Sequence, residues 1–447
     1  MAELSQLATG QRLRARRGWY SYGWASHVFP TIVITVFMGR YLTSVAENAV
    51  GKHGRLHLVG IPVAPGSLFA YLVSFGTVLL VLAMPVVGAI ADRTGAKREI
   101  LLGFGWLSAA CCIAMIGIGR TDWQLGSVLF LIGYLGYSCA TVVNYALLID
   151  VADAGDRDRV SSFGWAFAYV GGGLLLAADF VLSLFLADKA WLARIALCTA
   201  GLWWAGFNVL PWRLLRSLPR EDRSPVRGTE GSVLASGFGQ LRRTLAELGR
   251  YPVTLAFLVA FLIFNDGIQT VTTVAAQYGD KQLGLSDSVL LSAILLVQFV
   301  AFAGAIWLGR LAERYGARQV LVGSLVVWVA LVVAAYFLAP GASGEFYALA
   351  VGIALVLGGS QALSRSLFSR LIPAGREAEY FGLYEISDSG TSWLGPLLFG
   401  LTYQLTGSYR NALASLVVFF VVGLALLVRV PLAAGVRAAG NSLPARL

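Results

Sequence analysis

Long apolar runs separated by short polar segments fill almost the whole chain, and they restrict its fold more than any other feature. About 20 mostly apolar residues cross a hydrocarbon core about 30 Å thick as a helix, because a helix satisfies its own backbone N–H and C=O groups. Runs of this kind predict helices near 20–44, 66–91, 99–118, 124–148, 161–186 and 191–211. A second set follows near 252–276, 287–308, 319–338, 346–366, 380–404 and 410–430. We therefore predict an all-α integral membrane protein with twelve transmembrane helices in two six-helix bundles.

The composition excludes several functional classes. Only 13% of the 447 residues are charged, whereas soluble globular chains carry about 25% Asp, Glu, Lys and Arg. The net charge of +10 comes from bases between apolar runs, which indicate membrane orientation rather than a nucleic-acid surface. The four cysteines lack metal or disulfide spacing, and neither a phosphate-binding loop nor a hydrolase triad is present. We expect that the protein is not an enzyme and that it binds no metal, cofactor or nucleic acid.

Charged segments divide the chain and set its orientation. The pattern predicts a tail at 1–18, a bundle at 19–211, a linker at 212–251, a bundle at 252–430 and a tail at 431–447. Lys and Arg concentrate in the tails, the linker and the loops on the same side, and cytoplasmic segments collect these residues. We therefore expect a multi-pass protein, monomeric, in a bacterial plasma (inner) membrane with both termini in the cytoplasm.

A polar loop motif occurs at corresponding places in the two halves. Gly88-Ala-Ile-Ala-Asp-Arg-Thr-Gly-Ala-Lys97 follows the second predicted span, and Gly309-Arg-Leu-Ala-Glu-Arg-Tyr-Gly-Ala-Arg318 follows the eighth. Glycine permits close helix approach, and the acid and bases can pair across the cytoplasmic surface. We predict a conformational latch built by Gly88, Asp92, Arg93, Gly95, Glu313 and Arg314. A loop of this kind, present twice, resembles the signature of the major facilitator superfamily, which implies a central cavity and alternating access by rocking.

Further segments resemble a narrower family, the transporters related to fungal vacuolar amino-acid effluxers linked to autophagy, which have bacterial members. In the first half the similar segments are Arg159-Val-Ser-Ser-Phe-Gly164, Gly171-Gly-Gly173 and Trp203-Trp204. In the second half they are Phe264-Asn-Asp-Gly-Ile-Gln-Thr270, Gln361-Ala-Leu-Ser-Arg-Ser366, Tyr380-Phe-Gly-Leu-Tyr384 and Gly395-Pro396. The resemblance implies a carrier of small solutes, with amino acids as the known example. In the first helix, Gly23 stands where the family is expected to have an acid.

An acid lies deep within the seventh predicted span. Asp266 is about 21 Å from the start of that span at about 1.5 Å per residue, well inside the hydrocarbon. Ionisable groups at such depth often mark a substrate or ion path, although a structural acid satisfied by Arg or backbone is the alternative. Gly267 is expected to loosen the helix, and Asn265 and Gln269 supply amide donors and acceptors. Gln361 of the tenth span completes the predicted solute-binding set in the second half.

Two other groups of polar residues are hypotheses. Glu385 and Asp388 share a face of the eleventh predicted span, within reach of Arg365, and either close an inner gate or form a permanent ion pair. In the first half, Tyr22, Trp24, His27 and Asn144 are predicted to line the cavity. The alternative is that the aromatic residues anchor the interface and that His27 is simply packed.

These features predict a secondary transporter that moves a small polar solute, an amino acid or related metabolite, with proton coupling left open. A cation-coupled sugar carrier is one alternative, although the acids expected for it in the second and fourth spans are absent. A lipid scramblase or a non-transporting membrane sensor is the other. A scramblase or a sensor would show lipid movement or ligand binding without solute accumulation, whereas a secondary transporter accumulates its solute.

Overall fold

The computed structural model describes residues 9–58, 60–152, 157–217, 249, 251–372, 384 and 392–441. The first half contains α1 (Thr9–Ser26), a π-helical segment (Phe29–Met38), α2 (Gly39–Val50), α3 (Leu68–Thr94), α4 (Lys97–Ala114), α5 (Trp123–Val151), α6 (Arg157–Phe185), α7 (Lys189–Phe207) and α8 (Val209–Leu214). The second half contains α9 (Pro252–Lys281), α10 (Asp287–Tyr315), α11 (Ala317–Phe337), α12 (Ser343–Arg370), α13 (Leu394–Thr406), α14 (Tyr409–Ser415), α15 (Val417–Arg429) and α16 (Leu432–Ala438). The predicted linker and the start of the predicted eleventh span lie largely outside the described residues.

Nine helices within the described residues are long and apolar enough to cross a membrane. In the first half they cover Gly10–Val50, Lys97–Gly117, Trp123–Leu148 and Phe163–Phe185. In the second half they cover Pro252–Lys281, Asp287–Tyr315, Ala317–Phe337, Ser343–Arg370 and Tyr409–Arg429. A shorter apolar helix spans Pro65–Val81. The chain is thus a multi-pass helical membrane protein.

The first span is not a uniform α-helix. It combines α1, the π-helical segment and α2, and a turn at His27 separates α1 from the π-helical segment. Pro30 lies at the start of that segment. Because proline has no N–H and its ring collides with the carbonyl four residues earlier, it interrupts the α-helical hydrogen-bond pattern at this place.

The chain forms two compact units. One contains Met1–Val45 and Val78–Leu241, and the other contains Ala46–Thr77 and Arg242–Leu447. In the first unit α1 packs against α6, α5 and α7, while α4 packs between α5 and α7. In the second unit α9 packs against α15, α13 and α12, while α10 and α12 form a long parallel pair.

The segment Ala46–Thr77 is held within the second unit by polar contacts. Lys281 and Glu47 form a salt bridge of 2.7 Å, and the Ser67 hydroxyl donates to the Gly400 carbonyl at 2.7 Å. The segment contains an antiparallel hairpin, β1 (Leu56–Leu58) and β2 (Ile61–Val63), which the sequence analysis did not predict. Gln404 Nε2 donates to the Pro62 carbonyl at 3.0 Å and thereby fixes the hairpin to α13.

The repeated loop motif has the same backbone feature in both units. Gly95 ends the turn after α3 with φ +61°, and Gly316 ends α10 with φ +97°. Side chains with a Cβ rarely adopt such angles, so glycine is required at both positions. The bases that follow have different partners: Lys97 pairs with Asp150 at 2.9 Å, and Arg318 donates to the Val428 carbonyl at 2.6 Å.

Glycine allows α10 and α12 to approach closely. A Cβ at Gly304 would lie 2.5 Å from the Leu355 carbonyl oxygen, and one at Gly358 would lie 2.7 Å from that of Ala301. Small residues at helix crossings are the usual means of close packing where lipid supplies no hydrophobic drive between helices.

We expect Gly304→Ala to lower the stability of the second unit by about 1–3 kcal/mol, because backbone rather than a flexible side chain occupies the space. Gly309→Ala in the same helix is the matched control, since no atom lies within 4 Å of its added Cβ. Thermal unfolding of the purified protein in detergent measures both. Equal melting temperatures for the two variants would contradict the packing argument.

Candidate functional site

Asp266 binds the start of another helix in the second unit. Its side chain is 2% exposed, and Oδ2 accepts a hydrogen bond of 2.8 Å from the Gly395 N–H at the first turn of α13. The Leu394 N–H also donates to this carboxyl. The first N–H groups of a helix have no partner within the helix, and its N-terminus carries partial positive charge. Asp266 therefore acts as the cap of α13, although it belongs to α9.

The approach of α13 to α9 depends on Gly395. A side chain there would collide with the Thr270 hydroxyl and with Asp266 Oδ1. Thr270 donates its hydroxyl to the Asp266 carbonyl at 2.7 Å and lies 3.5 Å from Asp266 Oδ1. The two conspicuous segments of the second half, around Asp266 and at Gly395-Pro396, thus form one contact.

Gly267 serves packing rather than a break in the helix. We expected it to loosen the seventh span, but α9 runs continuously from Pro252 to Lys281. A Cβ at Gly267 would lie 3.0 Å from that of Phe419 and 3.1 Å from the Phe420 ring. Glycine therefore brings α15 against α9 directly beside Asp266.

The other predicted residues of the second half differ in burial. Asn265 is 2% exposed, whereas Gln269, one turn beyond it on α9, is half-buried. Gln361 is half-buried on α12. The carboxylate of Asp266 and the amide of Asn265 are therefore deeply enclosed, and the two glutamines have partly accessible side chains.

The predicted residues of the first unit lie among aromatic rings. Trp24 contacts Trp203 with ring centroids 5.9 Å apart and Phe167 at 4.7 Å. His27 contacts the ring of Tyr169 at 4.6 Å. The backbone carbonyl of Asn144 accepts a 2.9 Å hydrogen bond from Trp19 Nε1 and joins α5 to α1.

Buried polar atoms that the sequence analysis missed lie next to Tyr22. Asn208 and Trp204 are fully buried, and neither Trp204 Nε1 nor the Asn208 amide atoms have a hydrogen-bond partner in the described part of the chain. A Cβ at Gly105 would lie 3.1 Å from Asn208 Nδ2 and 3.6 Å from Trp204 Nε1 and Tyr22 Cε2. These groups converge on one small polar region of the first unit, of the kind that ordered water or a polar ligand satisfies.

Asp179 is a second buried acid that the sequence analysis missed. It lies in the apolar run of α6, is 3% exposed, and its Oδ2 has no hydrogen-bond partner among the described residues. The available signal was the same as for Asp266, an acid inside an apolar span. The family resemblance directed attention to the second half and to the first helix instead.

Part of the predicted gating set lies outside the described residues. Glu385 and Asp388 do so entirely, as do the burial of Gly88 and the side chains of Asp92 and Arg93. Arg365 and Glu313 are exposed, and the Arg314 guanidinium lies 5.4 Å from the Tyr315 ring centroid. The gate and the latch thus stay predictions.

Comparison with solved structures defines the fold. The chain resembles a D-xylose-proton symporter, with a TM-score of 0.67 at 15% identity over 95% of this chain and 98% of that one. It also resembles a bacterial homologue of the human lysosomal transporter Spinster, with a TM-score of 0.62 at 14% identity over 98% of this chain and 100% of that one. The fold is that of major facilitator transporters.

Sequence relatives define the family. The chain matches the family described as vacuole effluxer Atg22 like over residues 11–154 and 149–440, and it belongs to that family. It is 30% identical to the uncharacterized MFS-type transporter YxiO of Bacillus subtilis over 94% of this chain and 95% of the relative. It is 27% identical to autophagy-related protein 22 of Eremothecium gossypii over 90% of this chain and 88% of that protein. The predicted resemblance is confirmed.

We expect Asp266→Ala to lower stability by about 1–3 kcal/mol, because it leaves the Gly395 N–H buried without an acceptor. Asp188→Ala is the control: exposed Asp188 accepts hydrogen bonds from the Ala190 and Trp191 N–H groups at the start of α7, and water can replace it. We expect Asp266→Asn to recover part of the loss through its carbonyl oxygen. Thermal unfolding in detergent tests this order, and a larger loss for Asp188→Ala would contradict it.

Proposed function

We propose that this protein is a secondary transporter that moves a small polar solute, an amino acid or a related metabolite, by alternating access. Membership of the effluxer family supports transport, and the buried contact between Asp266 and α13 supports the mechanism. An amino acid carries an ammonium group that a buried carboxylate can bind, and charged groups at membrane depth commonly mark such paths.

Asp266 is the proposed link between binding and movement. Its carboxylate is shared between α9, to which it belongs, and the N–H groups that begin α13. A solute ammonium group or a proton at the carboxylate competes with those N–H donors, because both use the same oxygen lone pairs. Binding of the ammonium group or the proton therefore weakens the contact between α9 and α13. Only a ligand that binds the two conformations differently can drive a change between them.

The proposed location is a bacterial plasma membrane, with the termini and the central linker in the cytoplasm and the predicted twelve spans in two bundles. The distribution of Lys and Arg supports this orientation. The sugar-carrier alternative is less favoured, because its similarity to this chain is one of fold at 15% identity whereas the family match is to effluxers. A scramblase or sensor has no comparable support.

The transport experiment uses proteoliposomes and a panel of radiolabelled amino acids, with and without a pH gradient. We expect wild type to take up at least one of them and Asp266→Asn to lose at least about tenfold in rate, the effect of about 1.4 kcal/mol. Asp188→Asn is the control, since it makes the same chemical change at an exposed helix start. Uptake by Asp266→Asn at the wild-type rate would remove the residue from the mechanism.

The inner gate is a further part of the proposal. Arg365, exposed near the end of α12, is proposed to pair with Glu385 or Asp388 when the cavity faces outward. We expect Arg365→Glu to raise labelling of an inner cysteine probe and to lower uptake, and the charge-swapped pair Arg365→Glu with Glu385→Arg to restore both. If the charge-swapped variant regains the stability that Arg365→Glu loses, while labelling of the cysteine probe stays at the wild-type level in both variants, the pair is a permanent ion pair and not a gate.

A further inference from the structure

Asp179 lies on the face of α6 that packs against the first span. Three contacts, each four residues apart, join the two helices. A Cβ at Gly164 of α6 would meet the Trp19 ring, and the Ala168 side chain lies 3.4 Å from a Cβ built at Gly23. A Cβ at Gly172 would lie 3.1 Å from the His27 ring. The contacts advance in the same direction along both helices. Leu175, Leu176 and Asp179 continue this buried face.

The position of Asp179 is next to the π-helical segment. Asp179 lies two turns beyond Gly172, which is about 10 Å further along α6. Two turns beyond His27, the first span has reached the π-helical segment Phe29–Met38, which packs against α6. π-Helical turns are rare and occur mostly at functional positions, because their hydrogen-bond pattern can shift.

Asp179 lies inside an apolar stretch that is long enough to cross a membrane. Asp179 precedes Phe185, the end of the apolar stretch that begins at Phe163, by about 9 Å at about 1.5 Å per residue. Its side chain is 3% exposed, so it faces protein rather than lipid. An ionised carboxylate without a partner is very costly in such surroundings, and the usual solution is to bind a cation or a proton.

No charged side chain of the described residues forms an ion pair with Asp179. The π-helical segment contains no titratable residue. Arg194 of α7 donates instead to the Tyr41 hydroxyl at 2.7 Å. Arg40, the buried cation just beyond the π-helical segment, donates from Nε to the Val36 carbonyl at 2.8 Å. The other titratable groups on the elements packed against this part of α6 make no hydrogen bond to Asp179; they are Tyr20, Tyr22, His27 and Tyr41 of the first span, Tyr134, Tyr137, Cys139 and Tyr145 of α5, and Lys189 and Cys198 of α7.

We propose that Asp179 is a proton-binding site of the first unit, which carries a proton in this conformation and releases it when the first span moves away from α6. The proton comes from water and forms an O–H bond at the carboxyl oxygen; release breaks that bond and returns the proton to water. Separation of the two helices admits water to the carboxyl. An ionised carboxylate is then hydrated and no longer costly. The binding of the proton is independent of the proposed function, while its use for coupling rests on it.

Infrared spectroscopy of the purified protein at neutral pH tests the site without a solute. We expect the carbonyl stretch of a protonated, weakly hydrogen-bonded carboxyl in wild type, its loss in Asp179→Asn, and its retention in Asp122→Asn and Asp266→Asn. Asp122 is the matched exposed acid of the same unit. If Asp179→Asn does not fold, Asp179→Glu retains the acid and is expected to shift the band. Absence of the band in wild type, or an unchanged band in a folded Asp179 variant, would overturn the proposal.

Transport measurements test the coupling. With a solute identified in the proteoliposome panel, we expect Asp179→Asn to lose accumulation driven by a pH gradient and to retain solute counterflow. Loss of both accumulation and counterflow in a folded protein indicates a structural role for Asp179 and overturns the coupling. Accumulation at the wild-type level also overturns the coupling. If wild type shows the infrared band but moves no solute, the proposed function fails while the proton site stands.

Discussion

The hydrocarbon core offers no hydrogen-bond partner, and the arrangement of this protein depends on how its buried polar groups are satisfied inside the chain. In the second unit the solution is direct: Asp266 receives the N–H groups at the start of α13, so that a buried carboxylate and an uncapped helix end satisfy each other. Gly395 permits the approach, and Gly267 brings the aromatic residues of α15 against the same turn. One turn of α9 thus contacts two other helices, α13 through Asp266 and α15 through Gly267.

The sequence predicted the members of this contact but not the contact itself. The depth of Asp266 followed from helix geometry, and Gly395-Pro396 stood out as a conspicuous pair. Nothing in periodicity relates the two, because they lie 129 residues apart and meet through the packing of α9 and α13. For the same reason Gly267 suggested a weak point in the helix, whereas its role is to admit Phe419 and Phe420.

Local signals succeeded where the physics is local. Gly95 and Gly316 were predicted as equivalent members of a duplicated motif, and both have the positive φ that makes glycine necessary. Pro30 carried a comparable signal, since proline inside a span disrupts the helix, yet the continuous apolar run concealed the π-helical segment that follows it. Burial of Asn208 and Asp179 depended on which helix face meets a neighbour, and their nearly all-apolar spans leave that face undefined.

The two buried acids differ in the hydrogen-bond partners that surround them. Asp266 accepts backbone N–H donors at the positive end of a helix, so its carboxyl has hydrogen-bond partners inside the protein. Asp179 has no donor for its Oδ2 in the described part of the chain and faces a segment without titratable residues, which favours the neutral form. Moving either carboxyl by a single residue along its helix would turn it by about 100° toward other surroundings, so the pairing of acid with environment is set by position rather than by residue type.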